Sequence, residues 1–392
     1  MSQINSILGA IRQVVGPRSA RASALPLHEP MFGKREQEAV AACVALGWTS
    51  TAGRQVTEFE DVLAKDLGVP HVVACVNGSS ALHVALMLAG VRPGDEVVVP
   101  AVSFAATANA VKYCGAWPLF VDVSPDDFGV DPESLDKYLE EFGERRDDGL
   151  YNRISGRRIS CLLPMHCFGY ICQIDRLLDV AAKHGLTLVE DAAEAIGSRT
   201  GSRSAGSFGL IGALSFNGNK TVTTGGGGAI LTNDGELAAR ARHITTNAKV
   251  AHPWRFYHDT LGYNYRMPSL NAALGIAQLE RLDTIIDRKT RLHEHYVKAF
   301  ETVGGVRLLR GRAGTKPNHW LNTLVIEQQE SSVDALLTAA HADGLLMRPV
   351  WDLLPTLPYF ADCVSAPLPN ATWLAERTVN LPSSEALGMA LT

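Results

Sequence analysis

Lys220 stands in the stretch Ser215 to Gly228, SFNGNKTVTTGGGG, where a short apolar strand from Ala213 to Phe216 delivers one lysine into a polar turn followed by four glycines. A single lysine presented this way suits covalent chemistry, and the glycines let another backbone approach closely. Taken alone, the stretch reads also as a solvated turn lysine ahead of a flexible loop. A second candidate is the run Leu188-Val189-Glu190-Asp191-Ala192-Ala193-Glu194, a buried strand that ends in three carboxylates. A carboxylate at such a strand end can hold a proton on a ring nitrogen, strongly so in low dielectric. A helix N-cap acid is the alternative. A metal site is the poorer reading, because no histidine lies beside these acids in sequence, although the fold can bring His166 close.

A third candidate, Asn77-Gly78-Ser79-Ser80-Ala81-Leu82-His83, joins a strand to a helix and turns free backbone N–H groups and two hydroxyls outward, as a phosphate requires. Ser79 reads equally as an ordinary N-cap. The chain has no G-x-S-x-G elbow, no G-x-x-x-x-G-K-[ST] loop, no G-x-G-x-x-G after a strand and no H-E-x-x-H. Hydrolase, P-loop and nicotinamide chemistries therefore lack their main support.

These motifs fall on a regular pattern. Short apolar strands are expected at His71 to Val76, Glu96 to Val99, Pro118 to Val123, Ile159 to Leu163, Thr187 to Glu190, Leu214 to Phe216 and Ala229 to Leu231. Helices are expected near 79 to 89, 104 to 114, 173 to 184 and 234 to 244. Strands buried on both faces and separated by helices imply an α/β fold with a mainly parallel, seven-stranded sheet covered by helices, its binding site at the strand carboxyl ends. Two further helices, about Lys34 to Leu46 and Val56 to Leu67, precede the sheet; a long helical stretch from about Ser269 to Thr302 follows it. A smaller α+β C-terminal domain is expected beyond, with Trp320 to Glu327 and a helix near 332 to 343. Residues 1 to 25 read as an amphipathic helix (Ile4, Leu8, Ile11, Val14, Val15) and an Arg- and Ser-containing linker ending at Pro26, with a transit peptide as the alternative.

The totals bound the function. With 392 residues, 46% of them hydrophobic, a formal charge of -5 and no cluster of Lys and Arg, the chain reads as soluble and globular and has no nucleic-acid surface. No apolar run approaches the ~20 residues that span a bilayer, and no signal-peptide core is present, so no membrane partner and a cytoplasmic location are expected. The seven cysteines include no C-x-x-C pair, and Cys43, Cys75, Cys114 and Cys161 read as small buried hydrophobes. Without a secretion signal, the triplets at Asn77 and Asn370 carry no glycosylation meaning.

Taken in order, NGSSALH, PAVSFAATANA, EDAAEAIGS, SFNGNK and GYNYRM (Gly262 to Met267) resemble the DegT-type sugar aminotransferases over residues 27 to 385. The resemblance implies a fold type I enzyme that uses pyridoxal 5'-phosphate, with pyridoxamine phosphate as intermediate, to aminate keto sugars carried on nucleotides. It implies an N-terminal extension (1 to 25), a cofactor-binding large domain (26 to 270) and a small C-terminal domain (271 to 392). More narrowly, the Leu27-His28-Glu29-Pro30 opening, SFNGNKTVTTGGGG and Met347-Arg348-Pro349-Val350-Trp351 resemble the branch that aminates C4 of UDP-linked 4-keto-6-deoxy-N-acetylhexosamines for surface glycans, with glutamate as amino donor.

On that resemblance, Lys220 forms the resting Schiff base and shuttles the proton, and Asp191 pairs with the pyridinium nitrogen. Phe104 stacks on the ring; Gly78, Ser79 and Ser215 hold the phosphate, joined by Asn264 of the partner subunit in a homodimer. Glu194 stands near the ring hydroxyl, where many relatives carry Gln or His. Asn219, Arg266 of the partner subunit and Arg348 are implied for the substrate, arginine matching a diphosphate, and His166 and Trp351 for the pocket lining. No metal is implied. Two rivals remain: a sugar dehydratase of the same fold, whose members carry histidine at the Lys220 position, and a non-catalytic cofactor-binding sensor.

Overall fold

A computed structural model describes residues 2–17 and 24–391. Its central sheet runs His71–Cys75, Gly228–Thr232, Ile211–Ser215, Thr187–Asp191, Arg158–Leu162, Glu96–Pro100, Trp117–Val121, which are the seven strands expected, in a mixed spatial order. The last five run parallel to one another, and Gly228–Thr232 is antiparallel to the strand on either side. Glu96–Pro100, Ile211–Ser215 and Gly228–Thr232 are buried at every position, because helices cover both faces of the sheet.

A hairpin, Gly143–Arg146 with Gly149–Asn152, widens this sheet to nine strands. Little in the sequence signals it: GERRDDGLYN has no apolar alternation, and a two-residue Asp147-Asp148 turn closes it. The stretch expected to be helical from Ser269 to Thr302 is two helices, Ser269–Leu279 and Leu282–Phe300. The break falls at Arg281, whose guanidinium bonds both Glu36 and Glu385 and so ties the junction to two distant segments.

The four glycines divide into two pairs. Gly225 takes a left-handed φ of 78° and Gly226 is open, whereas Gly227 and Gly228 are packed tight. Gly228 pairs with both Cys75 and Ser215, and a Cβ there would lie 2.4 Å from the Asn77 carbonyl oxygen. Only glycine lets the turn after His71–Cys75 settle beside Ser215.

A second, antiparallel sheet is ordered Val306–Leu308, Asn322–Ile326, Thr378–Leu381, Arg348–Pro349. Its core includes Leu292 and Tyr296 of the long helix and, from the beginning of the chain, Ile7, Leu8 and Ile11 of the helix Gln3–Val15. That helix fulfils the amphipathic pattern read in the sequence; most of the Arg- and Ser-containing linker after it lies outside the described residues. Among the described residues no helix is long and apolar enough to cross a membrane.

Lys289 is the unexpected member of the long helix. It is 1% exposed, and its Nζ donates to the carbonyl oxygens of Ser383 (2.6 Å) and Trp320 (3.2 Å). Burial lowers its pKa to about 7, against a smaller opposing pull from Glu385. The folded value lies below the unfolded one, so the unfolded chain binds the extra proton between about pH 7 and 10.5, and this residue's contribution to stability rises with pH over that window. Chemical denaturation at pH 7 and pH 10 should show wild type gaining roughly 3 to 5 kcal/mol relative to Lys289→Met. Parallel pH profiles for the two proteins would show that the amine titrates normally.

Candidate active site

The parallel strands end on one side of the sheet, and the chemistry-bearing side chains gather there. Asp191 closes the strand Thr187–Asp191. Its carboxylate is buried, accepting from Thr107 Oγ1 (2.6 Å) and from the Ala193 N–H (3.1 Å). Burial pushes its pKa up; the two hydrogen bonds, then Lys220 and His166, pull the other way without cancelling that push. Among the described residues no cation is in contact with this carboxylate.

Lys220 reaches the same cavity from the turn after Ile211–Ser215. Its Nζ donates to Glu194 Oε1 at 3.0 Å and sits 4.0 Å from the centre of the Trp320 ring. The solvated-lysine reading therefore fails: the side chain is 11% exposed and held by a buried acid and an aromatic face. Glu194 Oε2 accepts from the Phe168 N–H at 2.8 Å, in a residue with φ of 57°. Burial raises the Glu194 pKa against the opposing pull of Lys220 and the Phe168 N–H. The Phe168 ring stacks on Trp351 at 4.9 Å, and Trp351 meets Phe104 edge-on at 6.3 Å. Phe104, 54% exposed at the start of the helix Ala105–Tyr113, overhangs the opening.

The far end of the cavity is the start of the helix Gly78–Leu88. Asn77 caps that helix by accepting from the Ser80 N–H. Ser79 is therefore not the cap; with Gly78 and Ser215 it lines the cavity. The whole cavity, about 330 Å³, is lined by Asn77, Phe104, Thr107, Asp191, Glu194 and Lys220, among others. A second cavity of about 520 Å³ shares Phe104, Asn219, Trp320 and Trp351 with it and adds His28, Arg348 and Asn380.

Three expected residues lie elsewhere. His166 does not line either cavity: it is wholly buried, its Nε2 2.9 Å from Glu190 Oε2 and its Nδ1 accepting from the Cys172 N–H. Both ring nitrogens being engaged, it ties the loop before Cys172 to the strand that carries Asp191, which corrects its reading as a pocket residue. Asn264 and Arg266 bond each other at the exposed surface, outside this chain's own cavity. Sequence reasoning missed Thr107 and Trp320. Thr107 lies within the PAVSFAATANA motif, one helical turn after Phe104, and was legible there; Trp320 comes from the loop ahead of the strand Asn322–Ile326 in the second sheet and carried no local signal.

Such a site asks for a flat aromatic cofactor with three distinct ends. A protonated ring nitrogen supplies the cation that buried Asp191 lacks, a carbonyl carbon suits Lys220, and an anion suits the Gly78–Ser79 turn. Pyridoxal 5'-phosphate has all three, so the residues fit it.

The fold is that of a fold type I aminotransferase, and the site residues fit that class. The comparisons agree. The model of the DegT/DnrJ/EryC1/StrS aminotransferase family matches residues 30–390, and the chain belongs to that family, whose cofactor is pyridoxal phosphate. The chain is 34% identical over 361 residues to the GDP-perosamine synthase of Caulobacter vibrioides, covering 91% of this chain and 92% of that one. It is 32% identical over 334 residues to the UDP-N-acetyl-3-dehydro-alpha-D-glucosamine 3-aminotransferase of Acidithiobacillus ferrooxidans, covering 84% of each. Among solved structures, a DegT DnrJ EryC1 StrS aminotransferase from Brucella abortus superposes with a TM-score of 0.80 at 31% identity, covering 91% of this chain and 93% of that one. The chain is thus a sugar aminotransferase of nucleotide-sugar biosynthesis.

Proposed function

We propose that this enzyme transfers an amino group from glutamate to C4 of a UDP-linked 4-keto-6-deoxy-N-acetylhexosamine, in the cytoplasm, for surface-glycan synthesis. The observation that carries the transfer itself is Lys220, its amine poised between Glu194 and the Trp320 face in a cavity that also holds Asp191. Pyridoxal phosphate supplies the electron sink for carbanion chemistry when bound. Asp191 would sit against the ring nitrogen and keep it protonated, and Lys220 would hold the cofactor's aldehyde end and serve as the base at the substrate carbon. Glu194 accepts a hydrogen bond from the lysine amine and keeps that amine within reach. Phe104 would cover the ring, and the Gly78–Ser79 turn with Ser215 would hold the phosphate. Arg348 and Asn219, in the adjoining cavity, receive the nucleotide sugar, with Trp351 as its wall. Lysine rather than histidine at position 220 argues against the dehydratase reading.

Asn264 and Arg266 serve a neighbouring subunit's site in a homodimer. Supporting this, Trp254 (77% exposed), Phe256 (81%) and Leu261 stand uncovered on the segment just before them. A second reading of the substrate, with GDP as carrier, is favoured by the GDP-perosamine synthases among the relatives.

One preparation tests these points. Glutamate added to purified, cofactor-loaded protein should bleach the visible band of the lysine-bound cofactor, and a UDP-linked 4-keto sugar should restore it, with the aminated product seen by mass spectrometry. A band indifferent to glutamate would favour the sensor; restoration by GDP-linked sugars alone would move the proposal to GDP. Sedimentation of an active monomer would remove the shared site.

A further inference from the structure

The larger cavity contains a polar atom that the chain leaves unused. His28 lines it beside Asn219, Trp320 and Arg348, its ring centre 6.4 Å from that of Trp320. The ring is only partly covered, yet Nδ1 is buried and has no hydrogen-bond partner among the described residues. A buried polar atom without a partner is unfavourable and is retained where something else supplies the missing bond. The residue has little freedom to move away: the Ser383 N–H donates to the Leu27 carbonyl (2.7 Å), and the Glu29 N–H donates to Ser384 Oγ (2.9 Å). The backbone is pinned on both sides of the histidine, whereas the broad χ2 torsion leaves the ring free to turn, and a turn would present the nitrogen to the cavity that the residue lines.

The ring's charge state decides what it can do there. Burial first, then Lys289 and Lys220, favour the neutral imidazole over the protonated one, against a weaker backbone hydrogen bond at Asn219. A neutral ring with a free nitrogen accepts a hydrogen bond. The groups of a nucleotide sugar that donate one are the sugar hydroxyls and, where present, an amide N–H. His28 lines one cavity with Trp320, whose ring faces the lysine amine, and with Arg348, the cation suited to the diphosphate. The sugar lies between those two ends of the substrate.

We infer that His28 binds the sugar portion of the substrate, accepting at Nδ1 a hydrogen bond from a hydroxyl or an amide N–H. The inference rests on the nucleotide-sugar reading of the larger cavity. It adds a substrate residue from the segment ahead of the main sheet, held in place by Ser383 and Ser384, which follow the strand Thr378–Leu381 of the second sheet.

The test is binding of the nucleotide sugar to Lys220→Ala protein by calorimetry, so that no turnover intervenes, comparing His28→Phe with His28→Asn. Phenylalanine fills the space without an acceptor, and should weaken binding on the order of tenfold. Asparagine places an oxygen near the Nδ1 position and should recover most of that loss. Sugars with an N-acetyl group and with a hydroxyl at C2 separate the amide donor from the hydroxyl donor. Equal affinity of His28→Phe and the parent for both sugars would overturn the assignment, as would equal losses in the two variants. Should His28→Phe fail to fold, His28→Leu against His28→Asn gives the same comparison. Glutamate bleaching of the wild-type enzyme tests the underlying aminotransferase reading separately: bleaching with no effect at His28 refutes only this inference.

Discussion

Lys220→Ala protein should bind pyridoxal phosphate without the visible band of the lysine-bound form, and its turnover should fall by roughly 10⁴ to 10⁶-fold, the scale seen when a covalent catalytic group is deleted. On the proposed mechanism alanine removes both the amine that would bond the cofactor and the base that would move the proton. Glu194 cannot substitute: a carboxylate forms no imine, and burial already favours its neutral form. Loss of the amine also removes the partner of Glu194 Oε1. Removing the amine also removes a pull that lowers the pKa of that acid, which therefore shifts further toward its neutral form. Absorbance and single-turnover kinetics with glutamate check the prediction; transamination by the alanine variant at the wild-type rate would end the lysine mechanism.

The second large effect concerns Asp191, whose substitution has opposite signs in the two states of the protein. Without cofactor the buried carboxylate's pKa is raised above its unfolded value. Its contribution is therefore favourable below the unfolded pKa and is lost as pH rises through the folded one. A neutral asparagine amide in its place would carry no such burden, so cofactor-free Asp191→Asn should be more stable than cofactor-free wild type at pH 7 to 8. With cofactor bound the order reverses, since the ring nitrogen loses its counter-ion and its proton. The glutamate half-reaction should then slow by roughly 10² to 10³-fold, the scale of removing one preorganised electrostatic contact. Thermal denaturation with and without pyridoxal phosphate measures both signs. A cofactor-free asparagine variant less stable than wild type would show that the carboxylate is not strained in the empty site.

How much of this was written in the chain follows from which contacts are local. The seven strands of the sheet were legible because each is a short apolar run with turn residues beside it, and Asp191, Ser215 and Gly78 could be placed at the ends of three of them. The hairpin at Gly143–Asn152 was not, since its charged residues imitate a loop. Lys220 could be singled out, but its environment could not: Glu194 is 26 residues away and Trp320 lies 100 positions downstream, just ahead of a strand of the other sheet. His166 failed for the same reason in reverse. Its type suited a pocket, yet Glu190, Cys172 and the backbone oxygen of Asp191 claim it from behind the strand.

The helix Gln3–Val15 also has a bearing on how the molecule is made. Its apolar side rests on Leu292, Tyr296, Val379 and Leu381. A ribosome adding ~5 to 20 residues per second needs roughly 15 s to a minute to travel from the one to the first of the others. Throughout that interval the first helix has none of these neighbours, although before it ends the large sheet, whose strands span 71 to 232, is complete in sequence. The beginning of the chain is thus among the last parts to find its place, and the second core closes only when both ends of the polypeptide have arrived.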